Sequence, residues 1–430
     1  MKAFKHYFKA LWVFIFAYLA TGVQAQIMTP QPTTGQLMTP DALNAPASQM
    51  LPRMDSVDVS LITCGPGTEV YSLYGHTALR VTDRTTGEDM IVNWGIFDTR
   101  KSYFVIRFIF GLTDYQIAVE PFNEFFIQYA ATGRWMKQQT LNLSRKEKWN
   151  IIRAINRNNL PQNRVYRYNY FYDNCTTRAR DMIESHIDGK IEYGKSNKIT
   201  CSYREMTHQW NEQSRWARFG NDMLLGLKAD CKTDFRQQQF LPDSLRADFD
   251  NAVVIGPGGI QHPLVEQSTM LFDPTLSQTQ DFGQAASASF PLSPIQCSLL
   301  LLGITLIICL LELKFGHQLW GYDAILLTVD SAAAIILLAM VFSQHPTVSL
   351  NLQILLCNPL TIIFMWPALA REKHGESHFY WKALLICILL FYIGNTVQHY
   401  AEGMNIVASC FLLRALANLR IGSQNKVKKV

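Results

Sequence analysis

At 430 residues the chain has room for two or three folding units of about 150 residues each. A mean hydropathy of +0.02 with 17% charged residues is too apolar for a disordered chain and too polar for a protein built wholly of membrane helices, so the value averages over two unlike parts. The net charge of +5 gives no ground for a nucleic-acid partner, and nine cysteines without a CxxC pair are too few for a disulfide scaffold and argue against structural zinc.

The chain opens with Lys2, Lys5 and Lys9 ahead of an apolar stretch of about 11 residues, and Val23-Gln24-Ala25 offers the small residues that a signal peptidase reads. Residues 1–25 are therefore an export signal, with an uncleaved anchor as the other reading. Either one carries the next segment out of the cytoplasm. Residues 26–52 are rich in Pro, Thr, Gln and Met, nearly uncharged and aperiodic, as expected of a flexible leader. From 53 to 250, short β-like runs alternate with amphipathic, aromatic-rich helical patterns, which predicts one α+β domain. Residues 251–295, rich in Gly, Ser, Pro and Gln, read as a linker.

After Pro294 the chemistry changes. Apolar runs at 296–313, 322–343, 349–368, 382–398 and 404–420 are each near the length of about 17–25 residues that a bilayer-crossing helix requires, giving five spans and a tail at 421–430. Lys314, Arg371, Lys373, Lys382, Arg420, Lys426, Lys428 and Lys429 all fall on the side opposite the exported domain. The loops at 343–348 and 398–403 carry no Lys or Arg, so the positive-inside rule puts the C-terminus in the cytoplasm. Arg414 interrupts the fifth span near its inner end, where a long side chain can snorkel.

Four cysteines remain in the exported part: Cys64, Cys175, Cys201 and Cys231. An oxidising compartment favours a disulfide, and Cys201 with Cys231 is the expected pair because they flank one helical segment. The segment LITCGPGTEVYSLYGHTALRVTDRTTGEDMIVNWGIFD reads as a strand, a Gly/Pro turn and a hairpin closed by DRTTGED. Pairing across that turn brings Asn93 near His76, and an amide beside an imidazole fixes the tautomer that a general base needs. In VYRYNYFYDNCTTRARDMIESHI, Asp173 or Asn174 can cap a helix that starts at Cys175. A cysteine there feels the positive end of the helix and the guanidinium groups of Arg178 and Arg180, which lowers its pKa and makes it a nucleophile. The N–H groups of the same turn are candidates for an oxyanion site. A structural histidine and a packed cysteine are the bland readings of the same residues.

The segments YGHTALRV, VNWGIFD, YRYNYFYDNCTTRARD, SYREM, LLLGLKAD and FLP, followed by an apolar tail with FSQHP and CNPL, resemble the Lnb family of bacterial lipoprotein N-acyltransferases. The resemblance implies an exported domain similar to a circularly permuted, papain-like NlpC/P60 thiol domain, followed by five membrane helices in the inner membrane. It implies Cys175 as nucleophile, His76 as base and Asn93 as orienter. The acyl donor would be a phospholipid and the acceptor a lipoprotein. Trp94 stands where the family pattern leads one to expect Tyr.

Other residues are candidates for substrate contacts: Tyr74 and Asn174 beside the two motifs, Arg178 after the cysteine, and His345 and Asn351 at the outer side of the membrane part. The last two suit a docking surface for the thiol domain or a headgroup site, with hydrogen bonding between helices as a third use. Arg204 suits bidentate phosphate binding, against a structural ion pair. The basic residues from Arg134 to Arg180 form a face for anionic headgroups or a solvated helix surface. No phosphate loop, HExxH or calcium loop occurs, so no cofactor and no metal is expected. Two other functions fit the same residues, a membrane-anchored cell-wall amidase or peptidase and a non-catalytic lipid-binding scaffold.

Overall fold

A computed structural model describes residues 35–98, 102–194, 200–276 and 290–429. The export signal expected at 1–25 lies outside the described residues. The α+β part is organised by a seven-stranded antiparallel sheet of order β10-β5-β1-β2-β3-β4-β6. Its strands are β1 (Val57–Cys64), β2 (His76–Asp83), β3 (Glu88–Ile96), β4 (Asp114–Pro121), β5 (Met136–Leu141), β6 (Val165–Arg167) and β10 (Val265–Phe272). A second, three-stranded sheet joins β7 (Lys190–Tyr193), β8 (Ala252–Ile255) and β9 (Gln261–Pro263). The helices of six or more residues between strands are α1 (Phe104–Ile109), α2 (Phe122–Ala131), α3 (Arg145–Asn158), α4 (Cys175–Glu184), α5 (Tyr203–Asn211), α6 (Arg215–Leu224) and α7 (Pro242–Asp250).

Period-two alternation divides the large sheet into two apolar faces. On one, Val59, Leu61, Leu79, Val81, Val92, Ile117 and Val119 pack against Trp149, Ile151, Ile152 and Ile155 of α3 and Ala179 and Ile183 of α4. On the other, Ile62, Cys64, Ala78, Ile91 and Met136 pack against Phe122, Phe125 and Tyr129 of α2. Helix α3 starts at a Ser144–Glu147 capping box and α4 at an Asn174–Thr177 capping box, so both helix starts are fixed by local sequence.

Two boundaries differ from the sequence expectation. The leader assigned to 26–52 is folded from residue 35 on. Gly35 donates to the Val119 carbonyl, Leu37 donates to Asn156 Oδ1, and Leu37 and Met50 are buried in the core. Two apolar anchors thirteen residues apart leave no periodicity to read. The linker assigned to 251–295 contains β8, β9 and β10. Strand β10 is an edge strand held to β5 by backbone pairing with its Glu266–Met270 side chains exposed, so a polar composition conceals it.

The C-terminal part is a bundle of α8 (Pro294–Phe315), α9 (Trp320–Val341), α10 (Pro359–Lys373), α11 (Tyr380–Gly394) and α12 (Met404–Lys429). Four segments, 294–315, 320–341, 352–373 and 404–427, are long and apolar enough to cross a membrane, and α11 is a shorter apolar helix. Its 15 residues span about 22 Å at 1.5 Å per residue, short of a hydrocarbon core of about 30 Å. Helix α12 continues through the expected tail to Lys429.

Arg414 does not snorkel. It is fully buried, with Nε and Nη2 donating to Asp323 at 2.7 and 2.6 Å and Nη2 donating to Glu312 at 2.9 Å. Asn418 donates to Asp323 at 3.0 Å, and Gln318 donates to Asn418 Oδ1 at 2.6 Å. Two carboxylates from α8 and α9 face the guanidinium inside the bundle, which removes any need for it to reach water.

The two parts meet at the loops that follow α9 and α11. Gly226 and Leu227 donate backbone N–H groups to the carbonyls of Thr347 and Leu350, both at 2.8 Å. Asn351 donates to Met223 O at 2.8 Å, Gln353 to Asp222 O at 2.8 Å and Gln398 to Leu225 O at 3.2 Å. A side chain at Gly226 would meet the Leu350 carbonyl at 2.2 Å, so the approach of the two backbones requires glycine there.

Candidate active site

The site lies where β2 begins. His76 projects on the α2 face, its ring stacked on Tyr129 with centroids 6.0 Å apart, and Cys175 comes from the N-terminus of α4 on the opposite face. The two meet at the end of the sheet, where the thiol is hydrogen-bonded to the His76 side chain, to the Thr77 N–H and to the Thr176 hydroxyl at 3.8 Å. Thr77 and Thr176 also bond each other at 3.1 Å, tying β2 to α4 beside the sulfur. On the other side of the ring, Nε2 lies 2.8 Å from Asn93 Oδ1. An amide oxygen only accepts, so Nε2 carries the proton and Nδ1 is left for the thiol. Asn93 in turn donates to Glu120 at 3.4 Å.

Burial alone would push the Cys175 thiol up. The charge and hydrogen bond of His76, the Thr77 N–H and the Thr176 hydroxyl outweigh it and hold the thiol at about 7, down from 9.0. Arg178 and Arg180 take no part in this, contrary to expectation, because each faces a carboxylate of its own. Arg178 forks onto Asp173 at 2.6 and 2.8 Å and lies over the Tyr166 ring, and Arg180 pairs with Asp181. Cys64 is the neighbouring cysteine, and its burial pushes it up to about 12. At neutral pH the site therefore holds one nucleophile.

Asn174 is the cap. Its Oδ1 accepts from Thr176 N and Thr177 N, both at 2.9 Å, and its amide reaches the carbonyls of Tyr170 and Phe240. The expected oxyanion site in this turn thus narrows to the Cys175 N–H, since the next two donors are used by the cap. Tyr115, Tyr166, Tyr168 and Tyr170 surround the sulfur closely enough to feel its charge, and burial raises the pKa of each, so all four keep their protons. These tyrosines and Glu120 were not singled out from the sequence. The Y-R-Y-N-Y alternation at 166–170 puts three of them on one face and is the signal that could have found them.

Tyr74 accepts hydrogen bonds from Asn211 and Asn221 and packs on Tyr170, which makes it part of the wall between the motifs. Arg204 is away from the thiol. It is 1% exposed and donates to Asp222, Asp230 and the carbonyl of Leu225, so it is a structural ion pair and not a phosphate site. Asn351 is in the docking interface, and the His345 ring packs on Phe108 and bonds its carbonyl. Arg145, Lys146, Lys148 and Arg167 pair with Asp55, Asp188, Asp58 and Asp114, as a solvated face does. Trp94 is buried on the face away from Asn93, with its indole N–H on Asn158 Oδ1 at 2.9 Å.

Cys201 and Cys231 are unpaired, contrary to expectation. The bridge between Ser202 and Lys232 sets Cys201 opposite Thr233, whose N–H and hydroxyl both bond the Cys201 carbonyl. Among the described residues, no group of three His, Cys, Asp or Glu side chains is arranged to hold a metal ion.

A sheet-rich domain with a thiol, an imidazole and an amide in series, seated on a bundle of apolar helices, defines a multi-pass membrane protein with a cysteine site above its helices. Two family models match it, in this order: the Lnb N-terminal periplasmic domain over residues 49–209 and the Lnb transmembrane domain, a five-helix unit, over 285–426. The chain belongs to the Lnb family. No curated protein and no solved structure matches it.

Proposed function

We propose that the protein is a lipoprotein N-acyltransferase that moves an acyl chain from a phospholipid, through a thioester on Cys175, to the α-amino group of a diacylglyceryl-cysteine on an exported lipoprotein. The observation that carries this reading is the Cys175–His76–Asn93 series, with the thiol held at about 7, seated at one end of a bundle of apolar helices. A thiol enzyme acting on soluble substrates needs one anchor at most. A bundle fits a substrate that lies in the bilayer.

In the first half-reaction His76 takes the thiol proton and the Cys175 thiolate attacks the ester carbonyl of the phospholipid. The Cys175 N–H faces the oxyanion that forms. Collapse breaks the ester C–O bond, the leaving alkoxide takes the proton from His76, and lysophospholipid departs. In the second, the lipoprotein amine attacks the thioester, His76 takes a proton from the nitrogen, and the C–S bond breaks as that proton passes to sulfur, which returns the thiol and the neutral imidazole and leaves an amide. Asn93 holds the imidazole in the tautomer both halves need, and one covalent intermediate lets two lipid substrates use one site in turn. The inner membrane is the proposed location, with the thiol domain in the periplasm and the basic ends of the helices, including the C-terminus, in the cytoplasm.

The test replaces Cys175→Ser in cells and reads lipoprotein N-termini by mass spectrometry. Loss of the N-acyl group is the expected result. Altered muropeptides with intact N-acylation would instead make the protein a cell-wall amidase, and no change in either would make it a scaffold.

A further inference from the structure

Helix α1 and the turn at Val70–Tyr71 are unusual for a surface in water. Tyr103, Val105, Ile106 and Phe108 are 77, 40, 54 and 44% exposed, and Val70 and Tyr71 are 56 and 57% exposed. The single charged residue of α1, Arg107, is turned back onto Asp114 at 2.6 Å. The two segments converge on Phe97, whose ring meets Tyr71 edge-on at 6.2 Å and stacks on Phe104 at 5.9 Å. A contiguous apolar patch of this kind marks an interaction surface.

What covers it follows from where it sits. Ile109, at the end of α1, belongs to the apolar cluster that contains Met340 of α9 and Val348. Phe110 accepts from the Gln344 N–H at 3.0 Å, and Gly111, at φ 68, approaches the His345 backbone so closely that a Cβ would lie 3.1 Å from its nitrogen. Helix α1 is thus fixed to the end of a membrane helix, and its exposed side continues the apolar surface of Val341 and Phe342, which are 42 and 70% exposed. Tyrosine at the rim of such a surface suits the boundary between headgroups and hydrocarbon. From Phe97 the aromatic contacts run inward, to Tyr115 at 4.7 Å and from Tyr115 to Tyr168 at 4.1 Å, and both tyrosines are near enough to Cys175 to feel its charge.

We propose that α1 and Val70–Tyr71 form a lip immersed in the leaflet of the bilayer on the thiol-domain side, and that Phe97 and Tyr115 line the route by which an acyl chain passes from that leaflet to Cys175. This rests on the acyltransferase reading for its cargo, while the immersion of the lip stands on geometry alone. It explains how an ester can reach a thiol set above the helices without leaving apolar surroundings. The ligand is the acyl chain of a membrane lipid presented by the bilayer and not a monomer drawn from water.

Two measurements on the full chain in vesicles of phosphatidylethanolamine and phosphatidylglycerol test it. A photoreactive benzophenone side chain at position 106 is expected to give lipid adducts, whereas one at position 127, an exposed site on α2, gives none. Absence of lipid adducts from position 106 would overturn the immersed lip. For the Val105→Asp/Ile106→Asp variant, the ratio of Cys175 acylation from vesicle phospholipid to acylation from the water-soluble ester p-nitrophenyl butyrate is expected to fall by about tenfold, the factor carried by one buried Ile side chain. An unchanged ratio would overturn the route. If wild-type protein forms no acyl-Cys175 with either donor, the acyltransferase reading and the route fail together, and lipid adducts at position 106 would still support the immersed lip.

Discussion

His76 and Asn93 are joined across a hairpin at a diagonal. The β2–β3 register sets Ala78 opposite Asn93, two residues further along, yet His76 Nε2 lies 2.8 Å from Asn93 Oδ1. Diagonal neighbours on one face of a sheet are about 7–8 Å apart at the backbone, so the ring must lean across the strand to close that distance. The residue it leans over is Gly95, where a Cβ would lie 2.9 Å from His76 Cε1 and 3.3 Å from Asn93 Oδ1.

Gly95→Ala therefore acts on the imidazole. The expected outcome is a fall in the acyl-transfer rate of about 10²-fold, the effect of displacing a reacting group by about 1 Å, with the thermal midpoint nearly unchanged. Single-turnover acylation of Cys175 alongside thermal unfolding in detergent measures both. A Gly95→Ala protein with full activity would mean that the His76–Asn93 contact is not needed for the chemistry.

The pH dependence follows from the thiol. With the folded value at about 7, alkylation of Cys175 by iodoacetamide is half-maximal there, rises above it as the thiolate fills and falls below it. His76→Ala removes the two largest lowering influences and leaves the burial that raises the pKa, so the midpoint is expected to move to 9 or higher. Cys64, pushed up to about 12, stays unlabelled over the same range. A midpoint that stays near 7 in His76→Ala would show that the imidazole is not the thiol's partner.

What the sequence made legible was local. The cap at Asn174, the hairpin around DRTTGED and the apolar helices each rest on residues within a turn or two of each other, and each is found in the fold. What it left unread was carried by distant partners. Cys201 meets Thr233 through a bridge set thirty residues away, Arg204 finds Asp222 and Asp230 only after three segments fold together, and Leu37 is buried by α3, over a hundred residues later. Glu120 joins the site only because β4 lies beside β3, a pairing that no residue near Asn93 announces.

Arg204 separates a structural ion pair from a phosphate site. Its guanidinium is inaccessible between Asp222 and Asp230, whose neighbouring backbone is gripped by Gln353 and Gln398. Arg204→Ala takes the guanidinium from two buried carboxylates, leaving Asp222 to His208 and Arg218 and Asp230 to His399, and is expected to cost about 3 kcal/mol, read as a lowered unfolding midpoint and easier proteolysis at the docking segment. The KM for phospholipid in the protein that remains folded should be unchanged. A raised KM with normal stability would restore the phosphate reading.

Arg414 poses the same question inside the bundle, where a snorkelling arginine and a buried one give opposite answers. A snorkelling side chain contributes its stem to apolar packing, so Arg414→Met would be nearly neutral. With Glu312 and Asp323 both facing the guanidinium, Arg414→Met strands two carboxylates among apolar helices and is expected to lose about 3–5 kcal/mol. Glu312 also accepts from the Leu319 N–H and Asp323 from Asn418, so the compensating changes must keep acceptors in place. Arg414→Met with Glu312→Gln and Asp323→Asn does so while removing the charges of these three residues, and it is expected to regain most of the lost stability. The unfolding midpoints of the single and triple variants in detergent measure this. An Arg414→Met variant as stable as the wild type, or a triple variant no better than the single one, would show that charge compensation does not hold α8, α9 and α12 together.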